Sequence, residues 1–258
     1  MNFSMASSVK PVYLFANWKM YLNYDESKAL ARELKKVVKK LPEHSRVAVF
    51  PSALALVAVK DELAGSSIGL GAQNIYWVDR GGYTGEVSAA MCKAAGAEYA
   101  LAGHSERRNI FHETNHDVRQ KIEALLAVGI TPVVCVGETL SERDGGLAEE
   151  AVEAQIRAAF TDISWPAGRE LIVAYEPVWA VGTGEACPPE EAGRQCSLLK
   201  KNIASLLKDV PAVFLYGGSV RPENVADFIK QNDIAGVLVG GASAKIESWS
   251  EIMSAAVE

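Results

Sequence analysis

Short runs of mostly apolar residues recur along the chain at 12–16, 47–50, 68–72, 99–102, 130–136, 171–174, 212–216 and 236–239. They are continuous rather than alternating. That is the pattern of strands covered on both faces. Between them lie longer stretches in which apolar positions fall three or four apart, predicting helices over 25–40, 52–63, 87–95, 114–128, 146–160, 188–207, 222–230 and 249–256. In the first of these, Ala29, Leu30, Leu34, Val37 and Val38 form the inner face, Asp25 caps the start and Pro42 follows the end. Pro222 stands at a favoured first helical position.

Strand and helix alternate eight times, which predicts an α/β protein with a closed, parallel (β/α)8 barrel inside an outer ring of helices. No G-x-G-x-x-G opens the first helix, so an open dinucleotide-binding sheet has no positive support. No linker or compositional break divides the chain. It reads as a single domain over residues 1–258, with residues 1–10 a loose N-terminal tail. One connection departs from the rhythm: residues 73–85 are long, glycine-rich and carry Tyr76 and Trp77.

Composition narrows the class without changing it. A length of 258 residues suits one α/β barrel, and 49% hydrophobic with 22% charged residues is ordinary for a soluble globular chain. A net charge of −6 argues against an indiscriminate nucleic-acid binder and leaves room for a local pocket for a small anion. No run approaches a membrane span and residues 1–10 hold no signal-peptide core. Cys92, Cys135, Cys187 and Cys196 have no metal-type spacing and read as reduced thiols, pointing to the cytoplasm.

In a barrel of this kind chemistry gathers at the C-terminal ends of the strands. Those ends read Asn17-Trp-Lys-Met20, Gly103-His-Ser-Glu-Arg-Arg108, Cys135-Val-Gly-Glu138, Glu176, Gly217-Gly-Ser219 and Gly240-Gly-Ala-Ser243. Glu176 closes a strand ahead of Pro177 and a glycine-containing loop with Gly182 and Gly184, the layout of a general base beneath a lid. Each residue alone has an ordinary explanation: a solvated Glu or Lys, a capping His, tight-turn glycines. Together, Lys19, His104 and Glu176 come from three strand ends facing one mouth. The glycines of the last two loops offer backbone N–H groups suited to a phosphate, and Gly182 adds another when the lid closes. Arg107 and Arg108 read as structural partners of nearby carboxylates.

These motifs, with Gly71-Ala-Gln-Asn74, Tyr83-Thr-Gly-Glu-Val-Ser88, Ala174-Tyr-Glu-Pro-Val-Trp-Ala-Val-Gly-Thr-Gly184, Tyr216-Gly-Gly-Ser-Val220 and Leu238-Val-Gly-Gly-Ala-Ser243, resemble the triosephosphate isomerase family in register from about Pro11 to the C-terminus. The resemblance implies a TIM barrel that interconverts dihydroxyacetone phosphate and glyceraldehyde 3-phosphate through an enediolate, with no cofactor and no metal. It implies Glu176 as base, His104 as electrophile and Lys19 as cationic anchor beside Asn17. Gly182, Ser219, Gly240 and Gly241 would hold the phosphate, with Glu106 and Cys135 behind the reacting groups. The family is itself the type case of a Glu base working with a neutral His at a helix N-terminus. It also implies a homodimer, with Tyr76, Trp77 and Thr84 at the interface and Thr84 near the neighbour's Asn17.

The chain departs from the family's common pattern at Tyr21, expected near the subunit contact, at Ser88-Ala89, and at Glu185-Ala-Cys187, where Cys187 is expected to be exposed and oxidisable. The competing reading is another phosphate-binding barrel enzyme acting on a different sugar phosphate. Such an enzyme would keep the glycines and lose the Lys, His, Glu set; here all are present.

Overall fold

The computed structural model describes residues 10–182 and 185–258. The expected tail up to residue 9, and Thr183 and Gly184 of the glycine loop, lie outside the described residues. Eight parallel strands close into a barrel in chain order: β1 (Val12–Asn17), β2 (Ser45–Phe50), β3 (Gly69–Ala72), β4 (Tyr99–Ala102), β5 (Thr131–Val136), β6 (Leu171–Tyr175), β7 (Ala212–Tyr216) and β8 (Gly236–Val239). Closure is made by β8 pairing with β1, Phe15 opposite Leu238. Every strand expected from the apolar runs is present.

Around the barrel lie α1 (Tyr24–Val38), α2 (Leu56–Leu63), α3 (Ala89–Ala94), α4 (Ser105–Asn109), α5 (Asn115–Ala127), α6 (Leu140–Asp144), α7 (Ala148–Phe160), α8 (Pro189–Leu206), α9 (Pro222–Ile229) and α10 (Ile246–Ala255). The start of α1 corrects the expectation. Asn23, not Asp25, is its cap, because the Asn23 side chain accepts from Glu26 N while the Glu26 carboxylate accepts from Asn23 N. Leu30 and Leu34 are buried and Val37 and Val38 pack half-buried on the core as expected, while Ala31 takes the inner place given to Ala29, which is exposed. Among the described residues, no helix is long and apolar enough to cross a membrane.

Two apolar layers explain the continuous strands. One set of side chains, Tyr13, Phe15, Ala48, Phe50, Leu101, Val133, Cys135, Ile172, Ala174, Leu215 and Leu238, packs inside the barrel. Their neighbours in sequence, such as Leu14, Val49, Val134, Val173 and Val237, pack outward against the helices. Side chains alternate along a strand, so the inward phase of β1 runs Tyr13, Phe15, Asn17 and that of β6 runs Ile172, Ala174, Glu176. This phase delivers Asn17 and Glu176 to the mouth. Gly71 leaves room for Phe50 in the barrel: a Cβ there would stand 2.2 Å from the Phe50 ring.

Candidate active site

The carboxylate of Glu176 stands at the centre of the mouth and is only 2% exposed. Two glycines make that position possible. A Cβ on Gly137 would fall 1.9 Å from the Glu176 backbone oxygen, and one on Gly217 would fall 2.7 Å from Glu176 Cγ. Glu176 Oε2 accepts a hydrogen bond from Ser105 N at 2.8 Å. Its other oxygen, Oε1, lies 3.4 Å from His104 Nε2.

His104 falls out of the strand's alternation. Gly103 takes a left-handed φ of 76°, and His104 becomes the cap of α4. Its Nδ1 accepts from Glu106 N at 3.2 Å, while the Glu106 carboxylate oxygen nearest that nitrogen is 3.7 Å away. With Nδ1 accepting, Nε2 is the ring nitrogen left to donate, and it lies beside Glu176.

Lys19 is held by its backbone as well as its charge. It has φ 47°, a left-handed conformation fixed by Asn17 Oδ1, which accepts from Lys19 N at 3.1 Å, and by Gln73 Nε2, which donates to Lys19 O at 2.7 Å. Lys19 Nζ pairs with Glu106 Oε1 at 2.7 Å, and its chain runs so close to Gly240 that a Cβ there would meet Lys19 Cε at 2.9 Å. Lys19, His104 and Glu176 border one cavity of about 310 Å3, shared with Asn17, Gly182, Ser219, Gly240 and Gly241.

The base of the loop after β6 is tied down from below. Glu138 Oε1 accepts from Trp179 Nε1 at 2.7 Å and from the Tyr175 hydroxyl at 3.1 Å. Ser219 Oγ donates to Ala180 O at 2.7 Å, so its hydroxyl is engaged with this loop. Cys187 N donates to the Tyr216 hydroxyl at 3.0 Å.

Several expectations change here. Cys187 is fully buried where exposure was expected, because the returning chain tucks beneath Tyr216 on its way into α8; burial, then the charge of Glu191, pushes its thiol up to about 12. Cys135 is buried beside Glu176, and burial first, then that carboxylate, holds its thiol well above the usual range. Tyr21 borders the mouth and packs against Gly241. Arg107 pairs with Glu113 as expected. Arg108 instead donates to Gly103 O, Cys135 O and Asn115 Oδ1, tying the ends of β4 and β5 together. Tyr76 and Trp77 stack on each other with ring centroids 4.2 Å apart and are half-buried, while Thr84 is exposed. Ser105, Gly137 and Gly217 stand in the strand-end motifs, but their roles in seating Glu176 were not read there. The strand phase that places Glu176 inward also marks Gly137 and Gly217, but nothing in sequence marks the Ser105 N–H.

A parallel eight-strand barrel that gathers a buried carboxylate, an imidazole and an ammonium around one cavity at its C-terminal mouth defines the class as a (β/α)8 barrel with its polar groups at the usual end for a site. Comparison with known proteins resolves the class further. The family model described as triosephosphate isomerase matches residues 12–256. The chain is 41% identical over 248 residues to a triosephosphate isomerase of Carboxydothermus hydrogenoformans, covering 95% of this chain and 98% of the relative. It is 40% identical over 246 residues to one of Endomicrobium trichonymphae, at 95% and 98% coverage, and 39% identical over 246 residues to one of Trichodesmium erythraeum, at 95% and 99%. The chain belongs to the triosephosphate isomerase family, and is an isomerase.

Proposed function

We propose that the chain interconverts dihydroxyacetone phosphate and D-glyceraldehyde 3-phosphate, with Glu176 as the base and His104 as the proton-bearing electrophile. A carbon acid beside a carbonyl needs a held base and preorganised donors for the charge that develops on oxygen. Glu176 Oε1 takes a proton from C1 of the ketose, and the electron pair moves onto the C2 carbonyl oxygen. His104 Nε2 gives its proton to that oxygen and receives the one on the C1 hydroxyl. The Glu176 carboxyl then returns its proton to C2, leaving an aldehyde at C1. Only side chains handle protons, so the reaction so read calls for no cofactor and no metal.

The observation that carries this reading is His104 Nδ1 accepting the Glu106 N–H, with Nε2 3.4 Å from Glu176. With Nδ1 accepting, the proton His104 can give stands on Nε2, facing the groups that react. Lys19 supplies the cation for a dianionic phosphate, beside Asn17. Gly182, Gly240 and Gly241 supply backbone donors, with the Ser219 hydroxyl, once released from Ala180. Glu106 and Cys135 support Lys19 and Glu176 from behind. The assay is coupled turnover of glyceraldehyde 3-phosphate. Turnover of a longer sugar phosphate instead would move the chain to another class of phosphate-binding barrel.

The active unit in this reading is a homodimer of single-domain 27.7 kDa chains. Met20, Leu54, Val57, Met91, Ile110 and Phe111 are exposed apolar residues, at 97%, 88%, 59%, 54%, 63% and 60% exposure, and the segment carrying Leu54 and Val57 borders one cavity with Gln73, Asn74, Gly85 and Glu86 of the long loop. Apolar side chains left this open next to the long loop suit a surface that a second copy covers. Thr84 projects beside Tyr83, which packs on Tyr76 at 4.7 Å; Tyr76 and Trp77 brace the loop that a partner would receive. Light scattering should give twice the chain mass, and an active monomer at nanomolar concentration would refute this. Four free, buried cysteines suit a cytoplasmic enzyme.

A further inference from the structure

Arg108 takes no part in the proton transfers above, yet its guanidinium is tied to both halves of the site. Nε donates to Gly103 O at 2.7 Å, Nη2 to Cys135 O at 3.2 Å and Nη1 to Asn115 Oδ1 at 2.6 Å. The first bond holds the turn that breaks the phase of β4. Gly103 has φ 76° there, and the guanidinium lies so close that a Cβ on Gly103 would stand 2.7 Å from Nη2. The next residue is His104. The second bond holds the end of β5. Cys135 is followed by Val136, whose carbonyl accepts from Glu176 N at 2.8 Å, and then by Gly137, which faces the Glu176 backbone oxygen. The third bond keys the group to the first residue of α5, which limits its rotation. Three acceptors on three elements are within reach of a planar fork of five N–H groups and beyond a single ammonium.

We propose that Arg108 is a positioning residue for the reaction, fixing the strand end that carries His104 against the strand end that seats Glu176. The distance it sets is the 3.4 Å between His104 Nε2 and Glu176 Oε1. Arg108 has this task only if His104 and Glu176 are the reacting pair proposed above. It touches neither the substrate nor the loops after β7 and β8 that the same reading gives to the phosphate. Its loss therefore falls on the geometry of the chemical step and leaves phosphate binding in place, which appears in kcat and not in KM.

The test is Arg108→Lys and Arg108→Ala, with coupled turnover of glyceraldehyde 3-phosphate, inhibition by inorganic phosphate and the melting transition followed on the same samples. Lysine keeps the charge and the stem but brings one nitrogen to three acceptors. A misplacement of about 1 Å at the reacting groups costs on the order of a hundredfold. In both variants kcat should fall about ten- to hundredfold, with KM and the phosphate inhibition constant within about twofold. The guanidinium also borders a second cavity of about 370 Å3, shared with Ser105, Gly137 and Glu176, through which a small cation can enter the space left in Arg108→Ala. Millimolar guanidinium should restore part of kcat there, and methylammonium at the same concentration should not. Equal recovery with methylammonium would overturn the proposal, because charge alone would then suffice. A joint loss of kcat and phosphate inhibition would also overturn it, as a general loosening of the barrel. Where the alanine variant does not fold, Arg108→Lys decides. A wild-type chain without turnover overturns the reacting pair and Arg108 with it, whereas an active wild type with an equally active Arg108→Lys overturns Arg108 alone.

Discussion

Lys19→Ala separates charge from architecture at this site. The Lys19 side chain is 14% exposed and its partner Glu106 is 41% exposed, so the ion pair between them is solvent-screened and worth under about 1 kcal/mol to the fold. Alanine inherits the same left-handed backbone, still held by Asn17 and Gln73, so no new strain enters. The cost falls on substrate. Glycine N–H groups orient a phosphate but carry no formal charge, and Glu106 and Glu176 both stand close to the cavity. Losing one partner of a desolvated charge pair costs about 2–5 kcal/mol, and each 1.4 kcal/mol is about tenfold. Pairing with Glu106 already spends part of the lysine's field, so kcat/KM should fall about 10²- to 10³-fold, with the melting transition nearly unmoved. Inhibition by inorganic phosphate and phosphoglycolate should weaken at least tenfold, and added alkylamines should restore part of the activity. Lys19→Arg should remain impaired, because the chain passes against the Gly240 backbone and a planar guanidinium is bulkier than an ammonium. Unaltered anion inhibition in Lys19→Ala would refute the reasoning and leave the phosphate to the loops.

Two further outcomes follow from packing and burial. Gly137→Ala drives a Cβ to 1.9 Å from the Glu176 backbone oxygen, so denaturant unfolding should show a loss near the upper end of the about 1–3 kcal/mol range for overpacking, with activity falling too; a variant as stable and active as wild type would break the argument. Burial raises Cys92 to about 11 and Cys187 to about 12 from an ordinary 9.0. The folded state therefore holds these protons after the unfolded chain has lost them. Their contribution is complete below pH 9.0 and drains away as pH rises toward the folded values, by up to about 1.4 kcal/mol per pH unit for each thiol. Thermal melts should show Cys92→Ala and Cys187→Ala flattening that alkaline fall, and an identical fall in both variants would count against it.

How much was legible in sequence depended on whether a residue's placement follows from periodicity. The eight strands did, since a barrel core buries both faces and writes continuous apolar runs. Glu176 and Asn17 were legible as strand ends and prove to lie on the inward phase. The five-residue helices α4 and α6 are too short for an apolar period, although Thr139 with Glu142 spells a capping box that marks the start of α6. His104 joins the site only because Gly103 breaks the phase of β4. That Tyr21 also borders the mouth was not legible, because it follows from a turn at the left-handed Lys19 that no glycine announces. Cys187 was misread because neighbours such as Glu185 and the adjoining prolines look like surface, while the Tyr216 hydroxyl that draws the backbone inward lies far away in sequence.

The central claim is that Glu176 moves the proton. The direct measurement is coupled turnover of glyceraldehyde 3-phosphate by the wild-type chain and by Glu176→Asp, with circular dichroism on both. Aspartate keeps the charge and draws the carboxylate back by about 1 Å, a displacement that costs roughly a hundredfold when a base must meet a carbon acid. The account predicts kcat lower by that order with an unchanged spectrum, and a Glu176→Asp enzyme within a few-fold of wild type would contradict it.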